Sequence, residues 1–595
     1  MNIKSISIKN FRNFSDFTID FSEGFQTIIG ENNIGKSNLY WGIRLVLDGD
    51  LSYNSRNLDI KDFYGFKKEL TLDDNIVISI ELFSEDLSFF PTFHAIKTGN
   101  KTARITYLFA HKSKFIEDFE ILETIDISQF KWQLFGSGNS LLIDDILRLH
   151  PIRFSDLDGI NLYYINAFRN INSDLHGSTK SLLSKYCQSR IDTEKELESI
   201  KTILKKSSSD LNDLDFIPDI ADNIQKKGQN IAGQYFSFPV SISFLSNYDV
   251  DAWSQLNLYY SPENGNNVPI HTLGLGQKNI LYLSLFIAEL ENSSNRHEVN
   301  ILLIEEPEAH LHPQLQKILF SNLNDLKTTQ VFMTSHSTHI ASDCDYKNLN
   351  ILYNNPKREV KSFSPFKDGL LSIREKLLLK RYLDATRSEM FFASAIIYVE
   401  GIGEQFIIPS IAKNIYNINL TEHNISVIPI HSRYFDPYLK IVQNQNLEIP
   451  VVAIIDGDSD ELEDEEESTT AIANAKILEV ADRVLVSSGT KTLEIDLFPN
   501  INTNAEYLKD CFLNLGHKKS YDKLIIATRD NPELWEKELI KRIDKVVKKG
   551  RFAQELSVLI ELSDLSYELF IVPQYIKDAI THIAKCKNIL INVES

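Results

Sequence analysis

Hydrophobic and polar positions follow two rhythms along this chain. Near the N-terminus Ile6 and Ile8 alternate with Ser5, Ser7 and Lys9, a period of two that predicts a half-buried strand. Asn10 to Phe14 reads as a turn, and Phe25 to Ile29 as a second short strand. Residues 75–83 and 102–110 alternate like antiparallel strands, with Ile76, Ile78, Ile80 and then Ile105, Tyr107, Phe109 on one face. Leu162 to Ile165 predicts another strand, as do Val240 to Phe244 and Leu256 to Tyr260. Between them, from Leu182 to about Ile231, the spacing turns helical: Leu197, Ile200, Ile203 and Leu204 form one apolar stripe among Lys and Glu.

Elsewhere the apolar positions are continuous. Ile301 to Ile304 reads as a buried parallel strand, followed at once by Glu305, Glu306, Pro307, Glu308, Ala309, His310, Leu311, His312 and Pro313. Pro313 suits the first turn of a helix, predicted over Gln314–Leu326, and a strand Gln330–Met333 follows. Two more buried strands, Ala395–Val399 and Val451–Ile455, each run directly into acids. Buried strands alternating with helices predict an α/β chain, and 595 residues exceed one hydrophobic core, so two or more domains are expected.

Composition narrows the class. Hydrophobic residues make up 43% and charged residues 24%, values of a folded globular protein rather than a disordered one. The formal net charge of -20 argues against general electrostatic adhesion to nucleic acid, though not against a local basic groove. Cys187, Cys344, Cys511 and Cys586 are scattered, which argues against structural zinc and a disulfide framework. No apolar run reaches spanning length and no signal peptide is evident, so a cytoplasmic protein without membrane association is expected.

Candidate chemistry lies where strands end. Gly30-Glu31-Asn32-Asn33-Ile34-Gly35-Lys36-Ser37 is GxxxxGKS between a strand and a helix, the setting of a phosphate-binding loop. Its backbone N–H groups cradle phosphates. Lys36 is placed for the β/γ-phosphates and Ser37 for Mg²⁺, with Gly30, Asn32, Asn33, Gly35 and Asn38 completing the cofactor-binding set. Leu273-Gly274-Leu275-Gly276-Gln277 opens a helix running to Leu290, a second anion-binding geometry. Glu305 and Glu306 can hold Mg²⁺ and polarise a water, and His336, one strand on, is placed to contact a γ-phosphate or that water. Arg169, after a strand, is a phosphate sensor or a surface ion pair.

These four motifs, in this order, resemble an ABC-type ATPase of the kind found in chromosome-maintenance and RecF-like repair proteins, over about residues 1–365. The resemblance implies two heads sandwiching two ATP molecules, hence a homodimer or higher homo-oligomer. Gly274, Gly276 and Gln277 then reach the partner's nucleotide, Glu305 ligates the metal, Glu306 orients the water and His336 is the switch histidine. Two positions depart from the pattern. Glu305 stands where the family has aspartate, and in place of a Q-loop glutamine the chain offers Asp59 and Asp62.

A second set of acids follows a charged helical connector, residues 366–392. One strand ends in Glu400-Gly401-Ile402-Gly403-Glu404, the next in Asp456-Gly457-Asp458-Ser459-Asp460, and a third segment carries Thr492-Leu493-Glu494-Ile495-Asp496. Acids at adjacent strand ends can gather one or two divalent cations for phosphodiester chemistry. Lys545, Lys548, Lys549 and Arg551 form a basic patch, and Glu461 to Glu467 an acidic loop.

This half, residues 393–595, resembles a Toprim domain. An ABC ATPase followed by Toprim is the layout of the OLD (overcoming lysogenization defect) nucleases, which include the Gabija nuclease subunit. The expected fold class is therefore α/β: an ABC-type ATPase head with a helical insertion over about 182–231, used in dimerisation or packed on its own domain, followed by a Toprim domain with a C-terminal helical part. The resemblance implies ATP and Mg²⁺ or Mn²⁺ as cofactors and metal ligation by Glu400, Glu404, Asp456, Asp458 and Glu494, with Asp460 beside them. It further implies a catalytic Lys549. Gly403 stands where the family usually has threonine. The expected function is an ATP-regulated DNA endonuclease in bacterial antiphage defence, acting alone or with a helicase-like protein or a retron reverse transcriptase and its DNA–RNA product. A non-cutting DNA clamp and an RNA nuclease are the alternatives.

Overall fold

The computed structural model describes residues 1–65, 67–85, 98, 101–116, 119, 124–138, 140–157, 159–166, 182–189, 216–233, 238–244, 256–261, 267–293, 299–309, 311–326, 329–343, 348–365, 369–383, 387–443, 446–457, 465–529, 531–563 and 569–590. Arg169, the stripe from Leu197 to Leu204, Asp458 and Asp460 lie outside the described residues, as do residues 461–464 of the acidic run. The chain divides into two compact units, Met1–Leu352 and Tyr353–Ser595.

The first unit is built on a sheet with parallel neighbours in the order Leu349–Asn354, Gln26–Gly30, Thr329–Ser335, Val299–Glu305 and Ile160–Ile165. The three inner strands are buried along their whole length, which explains their unbroken apolar runs. Parallel pairing brings the carboxyl ends of Gln26–Gly30, Val299–Glu305 and Thr329–Ser335 to one edge of the sheet. Helix Lys36–Leu47 starts at that edge. An antiparallel sheet pairs Asn2–Phe11 with Phe14–Asp20 on one side and Asn75–Phe83 on the other, and then Thr102–His111 and Phe130–Gly136. Phe14–Asp20 is a strand that the turn reading of Asn10–Phe14 does not anticipate, so Gln26–Gly30 is the third strand of the chain. Within the expected helical insertion the described helices are Leu182–Ser189 and Phe216–Ala232.

The second unit centres on a four-stranded parallel sheet in the order Ile425–Pro429, Ala395–Val399, Val451–Ile455, Val484–Ser488. The chain passes from the first of these in sequence, Ala395–Val399, to one neighbour and then returns to the other. That reversal of direction opens a crevice at the carboxyl ends of Ala395–Val399 and Val451–Ile455. Helix Lys549–Leu562 packs against helix Ile402–Asn414 through Phe552, Leu556 and Ile560 in the core shared with Ile407 and Ile411. The connector contributes helix Ile373–Tyr382, capped by Ser372, whose hydroxyl accepts from the Glu375 amide.

Candidate functional sites

At the sheet edge of the first unit, Gly30, Asn33 and Gly35 all have positive φ, at 156°, 62° and 114°. A side chain on Gly30 would meet the Leu352 carbonyl at 2.5 Å, and one on Gly35 would press on Phe14 and Asn13, so the loop needs glycine at both positions. The loop wraps the Lys36 ammonium, which donates to the carbonyls of Gly30 at 2.8 Å and Glu31 at 2.9 Å. Burial draws this lysine down to about 8 against the opposing pull of Glu306, Glu308, Glu31 and Glu305. Asn32, Asn33 and Ser37 are exposed to an incoming ligand.

Parallel register sets the rest of this edge. Glu305 ends its strand level with Thr334. It is buried and hydrogen-bonded to Tyr164, whose phenol is held up at about 12 by burial and by the Glu305 charge. Glu306 turns out of the strand at φ 41°, a left-handed conformation that costs a non-glycine residue about 1–2 kcal/mol. Its amide donates to the Thr334 carbonyl at 3.1 Å, and its carboxylate meets His336 Nε2 at 3.2 Å. His336 Nδ1 lies 3.4 Å from Lys36 Nζ. Lys36, Glu306 and His336 are thus one connected group, with Glu305 behind them. Gly274 and Gln277 are exposed at the start of helix Leu275–Ser293, with Leu275 also exposed beside them and Gly276 partly so.

Some participants carry no local sequence signal. Glu308 accepts from the Ser335 hydroxyl at 2.7 Å and from the His336 amide at 2.8 Å, which ties the acidic turn to the histidine strand. Arg12 donates to Asp62 and to Asn38, both at 2.8 Å, and Asn38 in turn donates to Asn13. Arg12, Asn13, Asn38, Lys61, Asp62 and Phe63 line a pocket of about 340 Å³ beside the loop. Asp62, offered as a Q-loop substitute, is buried in this network; Asp59 caps the short turn before it. The sequence hint was the Asn-Phe-Arg-Asn turn, in which Asn10 and Arg12 both take positive φ.

The second unit gathers its acids around the crevice. Glu400 follows the first strand. Glu404, one helical turn on, is buried and accepts from the Gly401 amide at 3.1 Å. Asp456 ends the adjacent strand, and its amide donates to Glu400 at 3.3 Å. Glu494 stands not on a strand but in the first turn of the short helix Leu493–Leu497 that follows Val484–Ser488. Asp496 turns away and binds the Thr490 amide and hydroxyl. Lys549 starts its helix 3.4 Å from Glu494 and 3.9 Å from Asp544. Burial lowers this lysine, but Glu494 and Asp544 hold it above its usual range. Lys545, Lys548 and Arg551 are exposed nearby in sequence.

Two glycines explain the tight spacing. A Cβ on Gly457 would meet the Gly489 carbonyl oxygen at 2.3 Å, and one on Gly403, where the family usually has threonine, would press on the Leu493 side chain at 3.2 Å. Burial pushes Glu404 up to about 7, helped by Glu400 and Glu494. Burial pushes Asp456 up to about 9, helped by Glu404, Glu400 and Glu494. Among the described residues no three His, Cys, Asp or Glu side chains already form a metal-holding arrangement. The donor set nevertheless fits a hard divalent cation. It is all oxygen, its carboxylates raise one another's proton affinity, and Asp456 Oδ1 is buried without a hydrogen-bond partner.

A phosphate-cradling head and a doubly wound domain with clustered carboxylates, in one chain, define a class: nucleotide-binding proteins that carry a metal-using Toprim module. The chain belongs to the AAA ATPase domain family, which it matches over residues 1–141 and 143–341, and residues 391–458 match the overcoming lysogenization defect protein-like Toprim domain. It is 25% identical over 563 residues to Endonuclease GajA of Bacillus cereus (strain HuB5-5), covering 80% of this chain and 79% of the relative. The OLD nuclease of Thermus scotoductus is 25% identical over 417 residues, 68% of this chain and 72% of that one. The Old nuclease of Escherichia phage P2 is 21% identical over 462 residues, 72% and 73% respectively. Among the described residues no helix is long and apolar enough to cross a membrane.

Proposed function

We propose that this chain is an ATP-dependent nuclease that cuts DNA and serves antiphage defence. The observation that carries the reading is the crevice of the second unit, where Glu400, Glu404, Asp456 and Glu494 share one pocket of about 420 Å³ with Lys549. Glu400, Glu404, Asp456 and Glu494, with Asp458 and Asp460 next in sequence, would hold Mg²⁺ or Mn²⁺, which would activate water and offset charge on phosphodiester oxygens. Lys549 then neutralises charge on the scissile phosphate. In this reading residues 1–365 bind and hydrolyse ATP, 366–392 connect, and 393–595 cut.

At the first site Gly30, Asn32, Asn33, Gly35, Lys36, Ser37 and Asn38 hold the phosphates, and Glu305 and Ser37 the metal ion. Glu306 orients the water and His336 senses the γ-phosphate. The pocket lined by Arg12, Asn13, Lys61 and Phe63 takes the remainder of the nucleotide. The exposed Gly274 and Gln277, with the partly exposed Gly276, complete the site of a second copy, so the working form is a homo-oligomer joined through its heads. Purified protein should nick plasmid DNA with Mg²⁺ or Mn²⁺, and Glu400→Ala should abolish nicking while ATP hydrolysis persists. Unchanged nicking by Glu400→Ala would remove the assignment, and cleavage of RNA alone would transfer it to RNA.

A further inference from the structure

The crevice contains a second cation with no assigned role. Strand Ile425–Pro429, which lies beside the Glu400 strand, ends in the loop His431-Ser432-Arg433-Tyr434. The loop is fixed at both ends. The Ile430 amide donates to the Val399 carbonyl at 2.8 Å, and Phe435 is fully buried. Inside it the Tyr434 amide donates to Ser432 Oγ at 3.1 Å, and the Tyr434 hydroxyl donates to Glu375. These anchors carry Arg433 over the acids, with Nε 3.2 Å from Glu400 Oε1.

That ion pair contributes little to the fold. With 37% of the Arg433 side chain exposed, its contact with Glu400 is worth at most about 1 kcal/mol, and the loop is already held by its backbone and Phe435. Its meaning lies in the charge balance. Among the described residues lining the pocket, four carboxylates face two side-chain cations, Arg433 and Lys549. Arg433 pairs with Glu400 and Lys549 with Glu494, so Glu404 and Asp456 are left between them. The Arg433 loop follows the edge strand Ile425–Pro429, and Glu494 stands on the helical turn after the opposite edge strand, Val484–Ser488. The two cations therefore hold different carboxylates of the pocket.

A divalent cation ligated by Glu400 competes with Arg433 for the same oxygens. The guanidinium then remains in the pocket, partly exposed, as a planar fork suited to an oxyanion. The anion that enters this pocket is a phosphodiester backbone. We propose that Arg433 is a DNA-phosphate-binding residue of the cleavage site, holding a phosphate of the cut strand beside Glu400. This rests on the nuclease reading above.

The test is binding of the full chain to a 30-base-pair duplex with Ca²⁺ in place of Mg²⁺ across a salt series, followed by cleavage kinetics in Mg²⁺. Arg433→Ala should weaken binding in Ca²⁺ about tenfold and reduce the slope of log affinity against log salt by about one. Arg433→Lys should restore the slope but not the full affinity. In Mg²⁺, Arg433→Ala should raise the DNA KM and also lower the half-saturating metal concentration, since the competitor for Glu400 is gone. Unaltered binding and salt slope in Arg433→Ala would overturn the proposal. So would an effect on metal half-saturation alone, which would make Arg433 a counter-ion of Glu400. If Arg433→Ala does not fold, Arg433→Gln in the same two assays decides. If the wild-type chain cuts no DNA, the nuclease reading falls separately, and the salt slopes still report on Arg433.

Discussion

Replacing Glu308 tests how the acidic turn positions His336. Its Oε1 accepts from the Ser335 hydroxyl at 2.7 Å and from the His336 amide at 2.8 Å, while Oε2 is buried without a hydrogen-bond partner. Glu308→Ala removes both accepted bonds. The Ser335 hydroxyl still accepts from the Ser337 amide at 2.9 Å, so its loss falls at the low end, about 1 kcal/mol. The His336 amide loses its acceptor in a buried setting, at about 1–2 kcal/mol. Together these give about 2–3 kcal/mol for local opening of residues 335–337. Glu308→Gln keeps an acceptor at Oε1 and exchanges one unpartnered atom for another, so it should cost under about 1 kcal/mol. The assay is native-state hydrogen exchange on the peptide containing His336, because a two-unit chain has no single unfolding free energy. Exchange should quicken roughly 30- to 150-fold in Glu308→Ala, taking about 1.4 kcal/mol per tenfold. In parallel, kcat for ATP should fall at least about tenfold with KM nearly unchanged, since a displaced His336 mispositions the reacting groups without weakening the phosphate cradle. Unchanged exchange in Glu308→Ala would refute the tie between the turn and the strand. Equal damage in Glu308→Gln would show that charge, not hydrogen-bond acceptance, is what matters.

Three further outcomes are expected. Gly457→Ala should abolish DNA cleavage and destabilise the second unit by more than about 2 kcal/mol, because the added methyl meets backbone at 2.3 Å; retained ATP hydrolysis in the same sample checks that the damage is local. Lys549→Ala should lower cleavage by about 100-fold or more, since it strips the cation from Glu494, and leave ATP turnover within twofold of wild type. Glu305→Asp should keep the melting temperature within about 2 °C yet change ATP turnover several-fold, because it withdraws the carboxylate from Tyr164 by one methylene; identical turnover would show that the extra length of Glu305 is immaterial.

The sequence was most legible where chemistry is local. The Gly30–Ser37 loop needs its glycines because of its own backbone angles, so spacing alone reveals it. Strand ends were readable too: Glu305, Glu400 and Asp456 follow unbroken apolar runs because their strands are buried on both faces. Less legible were residues that meet only through tertiary pairing. Arg12 finds Asp62 fifty positions away, and Arg433 reaches Glu400 from a loop with no motif of its own. Glu494 stands on a helical turn that the sequence leaves undefined, since a single acid between Leu493 and Ile495 suits either periodicity. Phe14–Asp20 was missed because its hairpin turn is too short to separate two strands by eye.

The placing of strand Gln26–Gly30 has a consequence for biosynthesis. It leaves the ribosome early, yet its sheet partners are Thr329–Ser335 and the strand beginning at Leu349. At about 5–20 residues per second, the roughly 300 residues between them take on the order of 15–60 s to emerge. Until then the phosphate-binding loop sits on a strand with both edges bare, and loop closure over such a span is slow. A nascent chain shorter than about Leu352 cannot assemble the nucleotide site. The chain therefore gains the capacity to bind ATP only as its second unit begins to be made.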